Sequence, residues 1–233
     1  MLQNLHHLYG KKLSAIDGEI GSLKDLYFDD QSWVIRYVVA DTGSWLVGRL
    51  TLLSPHALGA FNQISGELPV HLTRSQIENS PNIDQHQPIS RQHEMSYFGY
   101  YGWPAYWEGA SLWGPSSYPM VIDASPWGLT PLERYHQHRD DRHLQSARDL
   151  LGYSIHTTDG VIGTLVDLYF DDSQWRISEL IIETGSWYSG KRIRLLPEHI
   201  QRIRYTDSTI VVKLTKRDLT DAAHGEVAHH AAH

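Results

Sequence analysis

The chain has 233 residues, 41% hydrophobic and 20% charged, with no Cys. These proportions exclude wholesale disorder, and the missing Cys excludes disulfides, thiolate metal sites and Cys nucleophiles. Acids outnumber bases by 27 to 20, a formal charge of -7 that argues against a phosphate-backbone binder.

No apolar run approaches the roughly 18 residues of a membrane span. The opening MLQNLHHLYGKKL lacks a basic segment followed by an apolar core, so no signal peptide is expected. A soluble, cytoplasmic protein is the expectation.

Internal repeats come first, because a missed repeat misreads the whole fold. At an offset of 142, residues 8–55 lie on residues 150–197 without a gap and share 22 identities in 48 positions. Asp17-Gly18 meets Asp159-Gly160, and Ile20-Gly21 meets Ile162-Gly163. Asp25-Leu26-Tyr27-Phe28-Asp29-Asp30 meets Asp167-Leu168-Tyr169-Phe170-Asp171-Asp172. Trp33 meets Trp175, Thr42-Gly43-Ser44-Trp45 meets Thr184-Gly185-Ser186-Trp187, and Pro55 meets Pro197. The spacing is too long for a solenoid and points to two copies of one domain.

Each copy reads as β. Gly18 to Asp29 alternates around Ile20, Leu23, Leu26 and Phe28, which predicts a long, slightly irregular strand. Asp29-Asp30-Gln31-Ser32 is turn chemistry. Trp33 to Asp41, like Trp175 to Glu183, is β-branched and aromatic and completes a hairpin. Thr42-Gly43-Ser44 forms a second turn, Trp45 to Leu53 a third strand and Leu68 to Leu72 another, matched by Thr209 to Leu214. Thr73, and its match Thr215, are N-caps of a helical turn. So many short strands in so few residues favour a curled sheet, which removes exposed edges.

The stretch between the copies differs in composition. Residues 78–93 are polar with two Pro and read as a linker. Residues 95–127 hold ten aromatics among Gly and Pro, with neither helical nor strand periodicity. Residues 130–149 could carry a short helix opening at Pro131, and the tail HGEVAHHAAH frays. Ten aromatics are costly in water, so the insert is expected to dock. A groove between the two copies is the expected receiving surface. Trp103 and Trp107 are the expected anchors, their backbone shaped by Gly102 and Pro104.

The doubled pattern DG-x-I-G-x-L-x-D-L-Y-F-D-D, then W, then T-G-S-W and P, resembles the PRC-barrel family. That family takes its name from the barrel of the photosynthetic reaction-centre H subunit, and a related barrel forms part of a ribosome-maturation factor. The resemblance covers residues 8–77 and 150–219. Ser80-Pro81, Pro88 to Glu94 and Tyr100-Tyr101-Gly102-Trp103-Pro104 resemble the joining segment of bacterial tandem PRC-barrel proteins. It implies an all-β chain: a PRC-type barrel over 1–80, a mostly irregular aromatic connector over 81–148, a second barrel over 149–223, and a flexible tail over 224–233. The two barrels are expected to pack as a pseudo-dimer within one chain, with homo-oligomers left open. The chain departs from the H subunit in having no room for a membrane helix before Leu8. It departs from the maturation factor in having a second PRC copy where that factor has a different barrel.

No chemistry-bearing constellation stands out. Adjacent carboxylates at Asp29-Asp30 and Asp171-Asp172 point to opposite sides of a strand end, so turn capping is the reading. Asp17 and Asp159, each before Gly, are turn residues too. The paired glycines, lacking a following helix with Lys-Ser/Thr, mark bulges rather than phosphate loops. There is no HExxH among the 15 His, and His156 and His199 face Ser14 and Ala57 of the other copy. His136, His138 and His143, and the tail pair His229 and His233, read as solvated. No GxSxG surrounds Ser44 or Ser186. No enzyme activity, metal or cofactor is expected.

Trp33, Trp45, Trp175 and Trp187 each open a strand, as core or barrel-rim packing or as an exposed contact site. Together with Trp103 and Trp107 they are the candidate interaction or packing aromatics. The functional expectation is a non-enzymatic protein-interaction or assembly module with a protein partner, nucleic acid not favoured and peripheral membrane association left open. Two alternatives come from the resemblance: an accessory factor of photosynthetic or respiratory membrane electron-transport complexes, and an RNA or ribosome-maturation-type adaptor.

Overall fold

The computed structural model describes residues 1–46, 50–62, 65–81, 91–120, 144–185 and 190–219. In chain order they form β1 (Leu2–Asn4), α1 (Leu5–Leu8), β2 (Lys12–Ala15), β3 (Gly18–Asp29), β4 (Ile35–Asp41) and β5 (Leu50–Leu53). β6 (Glu67–Pro69), α2 (Arg74–Glu78) and α3 (Arg91–Tyr101) follow. After them come β7 (Leu144–Ser146), β8 (Ser154–Thr157), β9 (Gly160–Asp171), β10 (Arg176–Thr184), β11 (Arg192–Leu195), β12 (Ile200–Arg204) and β13 (Thr209–Val212). The described residues are mostly β, in two sheets with few helices.

Two compact units result, and neither is continuous in sequence. Unit I comprises residues 7–146 and 172–176; unit II comprises 1–6, 147–171 and 177 onward. In unit I the sheet order is β5-β4-β3-β2-β6, with β7 also paired to β3. In unit II it is β11-β10-β9-β8-β13-β12, with β1 also paired to β9. The β2–β6 and β8–β13 pairs are parallel, whereas β1–β9, β2–β3, β3–β4, β3–β7, β4–β5, β8–β9, β10–β11 and β12–β13 are antiparallel.

The long strands explain their own irregularity. Ile20, Leu23, Leu26 and Phe28 are buried on β3, as are Ile162, Leu165, Leu168 and Phe170 on β9. Spacings of three among them break a strict two-residue period. The register slips between Leu23 and Asp25 against β4, so the extra residue is taken up by a bulge. A second slip lies opposite Gly21, between Leu13 and Ser14, and its counterpart lies between Ile155 and His156. At this point the backbones come very close. A Cβ on Gly21 would lie 2.0 Å from the Asp41 carbonyl oxygen, and one on Gly163 2.0 Å from that of Glu183.

The β3–β4 hairpin uses the turn chemistry of Asp29. Its Oδ1 accepts from the N–H groups of Gln31 at 2.9 Å and Ser32 at 3.1 Å. The loop closes with Trp33 N–H on the Asp29 carbonyl at 2.7 Å and Asp29 N–H on the Val34 carbonyl at 2.9 Å. Trp33 is not the first residue of the strand. It takes a left-handed conformation with φ 61°, and Trp175 does the same with φ 53°. That conformation costs a residue with a Cβ about 1–2 kcal/mol. Burial offsets it: Trp33 is buried and stacks on Phe28 with ring centroids 5.3 Å apart.

Helix starts follow the sequence. Thr73 and Gln76 form a reciprocal capping box at α2. Thr215 and Asp218 bond in the same way, at 2.8 Å and 3.2 Å. Asp17 accepts from Arg74 N–H at 2.7 Å and Asp159 from Lys216 N–H at 3.0 Å, so each Asp before Gly caps the helical turn as well. The Thr157 hydroxyl, then the Lys216 N–H, hold the Asp159 carboxyl below the usual carboxylate range.

The connector is less irregular than its composition suggests. Helix α3 runs through Tyr97 to Tyr101, where a mostly irregular connector was expected. It contains no Pro and ends where Gly and Pro stand. Gly102, at φ 67°, donates to Gly99 O at 3.3 Å, and Trp103 donates to Phe98 O at 3.1 Å. This is a Schellman stop, with Trp103 also against Phe98 at 6.3 Å between ring centroids. Residues 91–120 belong to unit I.

Replacing Gly163 by Ala places a methyl group inside the Glu183 backbone. We expect urea unfolding to show a loss of at least about 2 kcal/mol, the upper range of overpacking. Gly185→Ala, where nothing lies within 4 Å of the new Cβ, should lose less than half as much.

Candidate functional site

The site grows from strand β4. Its residues Ile35 to Ala40 are all buried, Arg36 at 4% exposure among them. A β-strand with one face on the core and one on solvent would alternate. β4 does not, because the connector covers its second face.

Three connector side chains make the contact polar. Glu94, 1% exposed, accepts from the Tyr106 hydroxyl at 2.6 Å and the Tyr37 hydroxyl at 3.0 Å, both on Oε1. Tyr97 O–H donates to the Leu52 carbonyl at 3.0 Å and accepts from Ser54 N–H at 3.1 Å, which joins α3 to β5. Trp113, buried, donates its Nε1–H to the Gln174 carbonyl at 2.9 Å.

Arg36 lies in the middle. One guanidinium nitrogen donates to the Leu112 carbonyl. The other donates to Asp29 Oδ2 at 3.5 Å and to Ser32 Oγ at 3.4 Å. The guanidinium carbon lies 3.8 Å from the Tyr106 ring centroid and 5.0 Å from that of Trp113. A cation over an aromatic face is worth about 2 kcal/mol once desolvated. Burial lowers the Arg36 pKa, and the facing oxygens of Tyr106, Asp29 and Glu94 oppose that. Burial, then the Glu94 charge, pushes Tyr37 well up, so its hydroxyl remains a donor.

His56 completes the layer. Its Nδ1 is 2.9 Å from Ser54 Oγ. The ring stacks on Trp103 at 5.5 Å and meets Trp113 edge-on at 5.1 Å and Phe98 at 5.7 Å. Burial, then the Arg36 charge, lowers its pKa to about 4, so the ring is neutral at pH 7.

The six aromatics singled out from the sequence separate. Trp33 and Trp175 are buried and both belong to unit I, where Ile35 N–H donates to the Trp175 carbonyl at 2.6 Å. Trp45 is half-buried in the turn after β4, with the Arg74 guanidinium 4.7 Å from its ring centroid. Trp187 lies outside the described residues, as do Trp127, Ser186, His136, His138, His143, His229 and His233. Trp103 stacks on Tyr101 at 4.3 Å, and Trp107 meets Phe98 at 5.5 Å and Tyr106 at 4.8 Å. Both are half-buried, whereas Tyr97, Phe98, Tyr106 and Trp113 are buried more deeply. Residues 91–120 pack on β4 and β5 within unit I.

Arg36, Glu94, Tyr37 and His56 were missed by reasoning on motifs. A signal existed in the offset of 142. Arg36 stands against Ser178, Tyr37 against Glu179, Ser54 against Leu196 and His56 against Glu198. In unit II, Glu179 instead meets Arg194 at 3.7 Å. At these four positions the two stretches differ, and in unit I the connector touches all four.

Residues 144–219 match the PRC-barrel domain family. No curated protein matches the chain. Among the described residues, no helix is long and apolar enough to cross a membrane.

Two outcomes test the site. In the unfolded chain His56 takes a proton near its ordinary 6.5, while in the folded chain it does so near 4. Its contribution to stability is therefore complete above pH 6.5 and is lost as pH falls from 6.5 to 4, by roughly 3 kcal/mol at most. His56→Gln should show a flatter decline than wild type in chemical unfolding over that window. Glu94→Ala leaves two buried hydroxyls without their acceptor and should cost about 2–4 kcal/mol. Adding Tyr37→Phe and Tyr106→Phe to it should recover part of that loss in the same measurement.

Proposed function

We propose that this chain is a non-enzymatic protein-interaction or assembly module built on two PRC-type barrels that arose by duplication. The observation that carries this reading is the connector layer on β4. Its charged and hydroxyl groups bond within unit I: Glu94 to Tyr37 and Tyr106, Tyr97 to the Leu52 carbonyl and Ser54 N–H, Arg36 to the Leu112 carbonyl and Asp29. Such a layer shapes a rigid surface and holds its groups in place. The PRC-barrel match over 144–219 supports the same reading.

The outward rim of the docked connector is the contact surface in this reading. Tyr100 is 44% exposed, Tyr118 53% and Met120 38%. Tyrosines held on a rigid support supply contact area at low entropic cost. Their partner is a protein, met in the cytoplasm.

The test is affinity purification of the full chain from its native host, beside a variant carrying Tyr100→Ser, Tyr118→Ser and Met120→Ser. A stoichiometric protein partner of the wild type, reduced at least tenfold in the variant, is the expected result. Equal recovery with both would remove the rim from the proposal.

A further inference from the structure

Each unit takes one strand of its sheet from the other stretch of sequence. β1 lies on β9 with Leu2 opposite Asp171, Gln3 opposite Phe170 and Asn4 opposite Tyr169. β7 lies on β3 with Leu144 opposite Asp29, Gln145 opposite Phe28 and Ser146 opposite Tyr27. Every one of these positions maps onto its counterpart at the offset of 142. The side chains repeat the pattern: Asn4 Nδ2 donates to Asp167 Oδ2 at 2.6 Å, and Ser146 Oγ donates to Asp25 Oδ2 at 2.6 Å. Each Asp also accepts the N–H of the next residue, at 2.8 Å for Leu168 and 2.7 Å for Leu26.

The two donor strands read Leu-Gln-Asn and Leu-Gln-Ser, and the two receiving edges have the identical sequence Asp-Leu-Tyr-Phe-Asp-Asp. Buried residues follow each donor strand at the same spacing, Leu5 and Leu8 after β1, Ala147 and Leu150 after β7. The PRC-barrel match opens at Leu144. It counts β7 with the domain that ends at residue 219, yet β7 lies in the sheet of unit I.

We propose that the edges of β3 and β9 are strand-receiving sites for a second copy of this chain, which docks there by lending its own Leu-Gln-Asn or Leu-Gln-Ser strand. A strand from another molecule would make the same ladder bonds, the same carboxylate bond and the same burial as the chain's own. Only effective concentration separates the two outcomes, and exchange of an identical element is a low-cost route to a dimer. This inference goes beyond the partner surface proposed above and does not depend on it.

The chain has no Cys, so single substitutions report pairing cleanly. One full-length variant carries Leu2→Cys and a second, tagged for size, carries Asp171→Cys. Directly opposite residues of an antiparallel pair have Cβ atoms roughly 4.5–5.5 Å apart, close enough for a disulfide after slight adjustment. The two are unfolded together, refolded at high concentration and oxidised. A third variant, Asp207→Cys, replaces the second in a control for random collision, since Asp207 is exposed on unit II. The expected result is a covalent heterodimer of Leu2→Cys with Asp171→Cys at least tenfold above the control. Leu144→Cys with Asp29→Cys tests the other edge and serves if Leu2→Cys fails to fold. Heterodimer at the control level for both pairs would overturn the proposal.

Discussion

The charge of Arg36, carried on a strand with both faces buried, is the constraint around which unit I is arranged. A guanidinium cannot be neutralised at any ordinary pH, so burying it demands partners on all sides. The connector brings the Tyr106 and Trp113 rings to its face and the Leu112 carbonyl to its edge. Asp29 answers from the hairpin below. Glu94 then satisfies the tyrosines that flank the cation. Packing rings against β4 would need only apolar residues. A network of directional bonds also sets which part of the connector lies on which strand, because a shifted connector would leave a buried charge unpaired.

A second constraint is close backbone approach. At Gly21 and Gly163 a long strand passes within contact of the carbonyl that ends the next strand. The resulting bulges let β3 and β9 bend along their length. A bent strand offers separate stretches of edge: the N-terminal part of β3 pairs with β2, its middle and end with β4, and its last residues with β7. β9 distributes its pairing with β8 and β1 in the same way.

Much of the local structure was legible from short-range chemistry. The Asp29 turn, the Thr73 cap and the strands around Ile20 and Ile162 rest on residues within a few positions of one another, and such contacts need no knowledge of the rest of the chain. Helix α3 was obscured, and with it the stop at Gly102. The buried face of α3 runs Glu94, Tyr97, Phe98 at helical spacing, but one member is a carboxylate and the aromatic Tyr100 lies exposed, so no apolar stripe marks it. Trp33 was read as a strand residue on its β propensity, and the left-handed turn that holds it is imposed by packing on Phe28.

By itself the sequence determined the long strands β3 and β9, the Asp29 turn, the Thr73 and Thr215 caps and the correspondence between the two stretches, since all of these rest on local bonding and periodicity. Only the tertiary structure decided where the connector docks and which edge each leading strand joins. A strand of the pattern Leu-Gln-Asn fits either Asp-Leu-Tyr-Phe-Asp-Asp edge equally well by sequence. The choice belongs to long-range burial: Tyr37 finds its acceptor, and Arg36 and His56 their facing rings, only when residues 91–120 lie over β4, and β1 finds Asp167 only when the chain has brought β9 to it.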